Sequence, residues 1–298
     1  MDAEVTVIGE ALVDIIVRPG GGNDEYSGGS PANVALGLGR LERSVRLLTA
    51  VGEDDRGRRL RSWLGDSGVE VDAHPVARTA TARATLAVDG SAQYDFDLVW
   101  DIASLSIDEA PRVVHIGSLS ALREPGAARV RELVDGLGDD TVVTYDPNIR
   151  PSLIPPREAS RALVEDWVRR STLVKVSDED LAWLYPAEPA REVAERWAAL
   201  GPESIVLTRG GEGIEVFGPG DRVREYPVPR VVVSDTVGAG DSMMAALVDA
   251  VLAASPSAWD LDEVAERALR SAAITVSRPG ADPPTRSELD HWARASER

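Results

Sequence analysis

The sequence predicts an α/β protein with a doubly wound, mostly parallel sheet and a small β-sheet lid. Three observations carry this. First, short β-branched runs recur at EVTVIG (4–9), VRLLTAVG (45–52), RVVHIGS (112–118), TVVTYDPN (141–148), TLVKVSD (172–178) and SIVLTRGG (204–211). Second, amphipathic stretches lie between them, among them SPANVALGLGRLE (30–42), DDRGRRLRSWLGDSG (54–68), PGAARVRELVDGLG (125–138) and PAREVAERWAALG (189–201). That alternation is the pattern of strand, crossover helix and strand, and the runs are continuously apolar, as buried parallel strands are. Third, 12–27 and 76–102 alternate with period two, with a turn signal at Asp89-Gly90, so they read as antiparallel hairpins. The expected division is therefore a main domain of 1–11, 28–75 and 103–298, with 12–27 and 76–102 as the lid. PPTRSELDHWARASER at the end reads as a terminal helix or tail.

The 298 residues are 43% apolar, enough for a real core. Fifty acids against 32 bases give a formal charge of −18, which repels nucleic acid and anionic membranes, and no basic tract offsets it. Lys175 is the only lysine. The absence of cysteine excludes disulfides and thiolate metal sites, and His74, His115 and His291 have no ligand spacing. MDAEVTVIGEALVDIIV enters a strand pattern directly, with acids where a signal peptide carries positive charge, and no apolar run approaches a membrane span. A cytoplasmic protein is expected.

Ligands of open α/β sheets bind outside the carboxyl ends of the strands. Those ends carry Gly9-Glu10, Gly117-Ser118, DPNIR (146–150), SDED (177–180), TRGGEG (208–213) and GAGD (238–241). VVVSDTVGAGDSMMAAL reads as a β-branched run, a turn of small residues and a helix, so Gly238, Ala239 and Gly240 bring backbone N–H groups to a helix N-terminus, a natural anion site. Asp241 follows them. On this stretch alone it reads equally as an N-cap or as the base that faces an acceptor hydroxyl while the N–H groups face a phosphoryl group.

TRGGEG reads more readily as a hairpin turn than as a phosphate loop, though Thr208, Gly210 and Gly213 allow close approach of a nucleotide. No Walker motif and no dinucleotide glycine triplet is present. Gly28 and Gly29 precede a helix opened by Ser30 and Pro31, and Asn33 falls in its first turn as an amide suited to a polyol or as a solvent-facing side chain; Asp14 gains weight only jointly with it. Asn148 and Arg150 can reach phosphate or metal-bound water, or belong to an Asx-Pro turn. Asp180 is a candidate for a Mg²⁺ water shell or an ordinary helix-opening acid.

These stretches, in this order, resemble the ribokinase-like sugar kinases, also called the phosphofructokinase-B family, from VIGEALVDI to AAITVSRPGADPP (272–284). DTVGAGDSMMAAL matches the C-terminal signature of that family and GGSPANVALGLGRL the N-terminal one. The resemblance implies that Asp241 is the catalytic base, with Gly238, Ala239 and Gly240 as the anion hole. It implies that Asp14, Gly28, Gly29 and Asn33 hold the sugar and that Thr208, Gly210 and Gly213 hold ATP. Asp235, Val237, Thr275, Arg278 and Gly280 match positions that bind a monovalent cation, so K⁺ is implied beside Mg²⁺. The hairpins match a lid that covers the sugar and often forms a homodimer.

GGSPANVA, DPNIRP and KVSDEDLAWLYP look most like bacterial fructokinases, with 2-keto-3-deoxygluconate kinases next and ribose or nucleoside kinases as further alternatives. Where many members carry Asn-x-x-Glu, this chain has Ser177 and Asp180, which bears on Mg²⁺ or phosphate handling there. QYDFDLVWD (93–101) carries no Arg or Lys, which points to a neutral sugar; Arg83, earlier in the lid, points the other way. The expected activity is transfer of the γ-phosphoryl group of ATP to a primary hydroxyl, with fructose as the acceptor. The rival from another class is a catalytically weak sugar- or nucleotide-binding regulator on the same fold.

Overall fold

The computed structural model describes residues 3–87, 92–218 and 222–296, without the side chains of 92 and 293–296. The Asp89-Gly90 turn lies outside the described residues. In chain order, β1 (Val5–Ile8), β2 (Leu12–Arg18), β3 (Gly22–Gly28), α1 (Ser30–Arg40), β4 (Val45–Gly52), α2 (Asp55–Gly65) and β5 (Val69–Val76) are followed by β6 (Thr81–Leu86) and β7 (Ala92–Asp97). Then come β8 (Val113–Gly117), α3 (Gly126–Asp135), β9 (Val142–Asp146), α4 (Arg157–Arg170), β10 (Leu173–Ser177), α5 (Asp178–Leu184), α6 (Ala190–Ala198) and β11 (Ser204–Thr208). The chain closes with β12 (Ile214–Gly218), β13 (Arg222–Tyr226), α7 (Ala239–Ala253), α8 (Leu261–Val276) and α9 (Arg286–Ser296).

Nine strands form the large sheet in the order β13-β12-β11-β10-β9-β8-β1-β4-β5. It is parallel from β11 to β5, and β12 and β13 add an antiparallel edge. Every β-branched run expected as a parallel strand is one, because each is apolar on both faces and both faces are covered. Side chains of α1, α2, α7 and α8 pack in one apolar cluster, and those of α3, α4, α5 and α6 in the other. No helix among the described residues is long and apolar enough to cross a membrane.

The second sheet, β3-β2-β6-β7, joins the two expected hairpins through a parallel β2–β6 pair. It is the lid. Val13 and Ile15 on one face of β2 are buried in the main core, so the lid is anchored by apolar contact. Glu25 on β3 also pairs with Arg56 and Arg59 on α2.

Two stretches depart from the sequence pattern. The 76–102 hairpin material stops at Asp97, since Trp100 turns into the core, where its ring lies in the space that a Gly126 side chain would fill and its Nε1 donates to the Ser120 carbonyl at 3.2 Å. Val76, at the other end, belongs to β5 and the main sheet. The VVVS run before GAGD joins neither sheet: Ser234 and Asp235 donate their N–H groups to the Val276 carbonyl, and Val232 is 88% exposed.

The contact that matters most for the site is between α1 and α7. A Cβ on Gly37 would lie 2.7 Å from the Ala245 Cβ, so the helices approach as closely as their backbones permit. The buried Asp249 carboxylate, lower on α7, ties in Arg43 at 2.6 Å and Arg286 at 3.0 Å. Gly37→Val should force α1 off α7 and lower stability by about 1–3 kcal/mol, the usual cost of overpacking; urea unfolding of the variant beside the native chain measures it.

Candidate functional site

The order of the large sheet reverses at β1, where the chain first builds outward through β4 and β5 and then returns to start again at β8. A crevice opens outside the carboxyl ends of strands at such a switch point. Glu10 follows β1 and Ser118 follows β8, and Ser118 lies close enough to Glu10 to lower its proton affinity. Ser118 and Asn148, after β8 and β9, have φ of 54° and 37°. Left-handed backbone is costly for non-glycine residues and clusters at functional sites.

The N-termini of α1 and α7 meet above this crevice. Gly238, left-handed at φ 75°, caps α7, which places Asp241 in its first turn. Asp241 does not cap its own helix. Its Oδ1 accepts from the Ser30 hydroxyl at 2.7 Å and its Oδ2 from the Asn33 Nδ2 at 2.8 Å, both on α1. Asn33 is buried, its Oδ1 has no partner among the described residues, and it is therefore no solvent-facing amide. Burial pushes the Asp241 carboxyl up from its ordinary value, against the hydrogen bonds of Ser30 and Asn33 and the positive charges of Lys175 and Arg150.

Both glycines of the pair before α1 have a steric reason. A Cβ on Gly28 would lie 2.5 Å from Asp14 Oδ2, and one on Gly29, at φ 104°, would lie 2.6 Å from the Glu10 carbonyl. Asp14 thus borders the start of α1. Burial raises its carboxyl to about 6, and Arg150 opposes the shift. Glu10, which is 7% exposed, is raised to about 7 by burial, against Ser118 and Arg150, and its Oε2 has no partner among the described residues. β-pairing puts Asp14, Tyr26, Ala82 and Phe96 in one row across the lid. Arg83 is registered with Ile15 instead, on the opposite face from Asp14.

Asp146 ends β9 and forms a buried ion pair with Lys175 on β10, Nζ to Oδ2 2.8 Å. Next along the sheet, Ser177 and Thr208 are in register at the ends of β10 and β11. TRGGEG is indeed the turn between antiparallel β11 and β12. Gly210, at φ 48°, has open space around it, whereas a side chain on Gly213 would clash with the Tyr226 carbonyl, so packing alone requires that glycine. Arg150 is exposed and lies close enough to Glu10, Asp14, Asp146 and Asp241 to act on all four.

The candidate metal residues lie in hydrogen-bonded turns and helix ends. Asp180 is buried, and its oxygens accept from the N–H groups of Ile149 at 2.7 Å and Ser177 at 3.2 Å, in a capping box that starts α5. No group of three or more His, Cys, Asp or Glu suited to a metal ion occurs among the described residues. Asp235 accepts from the N–H groups of Val237 at 3.0 Å and Gly280 at 2.9 Å, joining the turn before α7 to the one after α8. Thr275 is fully buried and its hydroxyl donates to the Ser271 carbonyl, while Arg278 pairs with Glu288 and Asp282.

Comparison with known proteins places this geometry. The family model described as pfkB family carbohydrate kinase matches residues 2–288. The chain belongs to this family. Fructokinase-1 of Oryza sativa subsp. japonica is 30% identical to it over 312 residues, covering 96% of this chain and 95% of that one. Among solved structures, fructokinase of Xylella fastidiosa with bound ATP superposes with a TM-score of 0.86 at 22% identity, over 99% of this chain and 100% of that one. Aminoimidazole riboside kinase of Salmonella enterica, complexed with aminoimidazole riboside and an ATP analogue, does so with 0.79 at 25% identity, over 97% and 99%. As a pfkB family member, the chain is an ATP-dependent sugar kinase.

Glu10, Ser118 and Asp146 stand at strand ends with no sequence signal of a role, and Lys175 is marked there only as the solitary lysine. A lone polar residue at a strand end has no periodic signal; only the solitary lysine was unusual in itself. Glu10 has a measurable consequence. Between pH about 4.5 and about 7 the folded chain keeps a proton on Glu10 that the unfolded chain releases, so its contribution to stability falls as pH rises through that window. Glu10→Gln should then be more stable than the native chain by about 3 kcal/mol at pH 8 and equal to it near pH 4.5, as read by urea unfolding at the two pH values.

Proposed function

We propose that the acceptor is a small neutral sugar, with fructose phosphorylated to fructose 6-phosphate. The observation that carries the chemistry is Asp241, a buried carboxylate at the N-terminus of α7 whose two oxygens are held by Ser30 and Asn33. In this proposal Asp241 accepts the proton of the attacking hydroxyl, and the N–H groups of Gly238, Ala239 and Gly240 receive the phosphoryl oxygens at the positive end of the helix. Asn33 Oδ1, Asp14 and the backbone of Gly28 and Gly29 bind the other hydroxyls. Thr208, Gly210, Gly213, Asn148, Arg150 and Ser177 border the nucleotide. Asp180 would hold Mg²⁺ through water, and the ion would neutralise charge on the ATP phosphates.

Three observations support a neutral acceptor of fructose type. The lid face shared with Asp14 carries Tyr26, Tyr94 and Phe96, with the last two stacked at 6.1 Å. Arg83 is on the other face of that sheet. The rice relative is named a fructokinase. Arg150 beside the pocket favours 2-keto-3-deoxygluconate instead, because a guanidinium pairs with a carboxylate. A panel of fructose, ribose, 2-keto-3-deoxygluconate, adenosine and aminoimidazole riboside with Mg-ATP decides among them; fructose should give the highest kcat/KM.

Asp241→Asn should lower kcat by about 10²–10⁴-fold while the KM values for sugar and ATP change by less than about fivefold. Near-native turnover in that variant would reduce Asp241 to a structural carboxylate. Sugar binding with no phosphorylation in the native chain would favour a regulator. Asp235, Val237, Thr275, Arg278 and Gly280 are proposed to hold K⁺, checked by replacing potassium with lithium in the assay. A homodimer through the lid, where Tyr26 and Tyr94 are 50% and 63% exposed, is checked by sedimentation equilibrium.

A further inference from the structure

Lys175 stands out on three counts that have no place in the chemistry described so far. It is the only lysine in a chain whose other bases are arginines. It is 5% exposed, in the middle of the sheet, where an ammonium is costly unless its charge has work to do. And its Nζ, held by Asp146 at 2.8 Å, lies 3.4 Å from where a Cβ on Gly240 would be, directly under the turn that carries Asp241. An ammonium is a compact point charge and a guanidinium a planar fork. The space beneath Gly240 admits the first, and this is a physical reason for a lysine at the one position where the chain departs from arginine.

We propose that Lys175 is a positioning residue for phosphoryl transfer: as a fixed cation clamped beneath the Gly238–Asp241 turn, it keeps the Asp241 carboxylate charged and able to accept the hydroxyl proton. The inference rests on the assignment of Asp241 as base. The groups that face Lys175 are His115 from β8, Asp146 from β9, Asp180 from α5 and Asp241 from α7. His115 is held neutral by burial and then by the Lys175 charge, which leaves its ring nitrogen Nδ1 to the Thr144 hydroxyl at 3.0 Å. Asp146 neutralises Lys175 only in part, for Lys175 also lowers the proton affinity of Asp241, as Arg150 does from the solvent side, while Asp241 opposes the ionisation of Glu10. Burial would otherwise drive Asp241 toward its neutral form, in which it cannot take a proton.

The test uses Lys175→Met and the pair variant Asp146→Asn/Lys175→Met, which removes both buried charges together and so leaves none unpaired. The Asp241 carboxyl is followed by ¹³C NMR against pH, its signal assigned by its absence in Asp241→Asn, and sugar phosphorylation is measured over the same range. The Asp241 midpoint should rise by about one pH unit or more in Lys175→Met, and by less in the pair variant, where loss of the Asp146 charge acts the other way. The acid limb of kcat should move up by the same amount, so that kcat well below the native midpoint falls by about tenfold in Lys175→Met, with KM values within about threefold of native. If Lys175→Met fails to fold, the pair variant decides. An unchanged Asp241 midpoint in the folded pair variant overturns the proposal, as does a native pH profile. Should the native chain phosphorylate no sugar, the kinase mechanism falls, but the Asp241 midpoint still decides whether Lys175 governs that carboxylate.

Discussion

The close parallel packing of α1 on α7 is the constraint on which the site depends. Because Gly37 has no side chain to hold Ala245 away, the N-termini of the two helices come near enough for Ser30 and Asn33 to grip both oxygens of Asp241. Each N-terminus leaves unpaired N–H groups and a positive dipole end at the same place. Two helix ends, Lys175 below and Arg150 beside them favour negative charge there, against the burial that opposes it.

The other charges form a graded set. Glu10, Asp14, Asp146, Asp180 and Asp241 gather at the carboxyl edge of the sheet with Lys175 and Arg150 among them. Acids outnumber cations, so the carboxyls are driven toward the neutral form to different degrees: Glu10 to about 7 and Asp14 to about 6. Asp146 has its own lysine and Asp180 two backbone donors. Carboxyls whose environments push their proton affinities apart can serve different ends in one pocket. Asp14 brings the lid into the same field, since Arg150 acts on it as it does on Asp241.

Local pattern was enough for most of the fold. The six β-branched runs became parallel strands because burial on both faces selects continuous apolar sequence, and period-two alternation marked the lid because one of its faces is open. It misled where a side chain found a distant partner. Trp100 left the hairpin pattern to pack on Gly126, and VVVS before GAGD took its backbone partner from the end of α8 instead of from a strand. Asp180, read as a Mg²⁺-shell candidate or a helix-opening acid, does open α5 in a capping box, and its other oxygen takes the Ile149 N–H from just after β9, a partner no local pattern shows.

By itself the sequence determined the α/β class, the lid and the strand ends at which chemistry had to lie, since periodicity and glycine placement are properties of neighbouring residues. It also marked Asp241, which its own stretch reads equally as an N-cap or as a base. That its carboxylate leaves its own helix uncapped belonged to the tertiary structure: its partners are 211 and 208 residues away, on a helix packed directly against α7. For the same reason Lys175 and Glu10 stayed silent in the sequence. Their meaning is a matter of which charges surround them, and in a doubly wound sheet those neighbours come from strands and helices scattered along the whole chain.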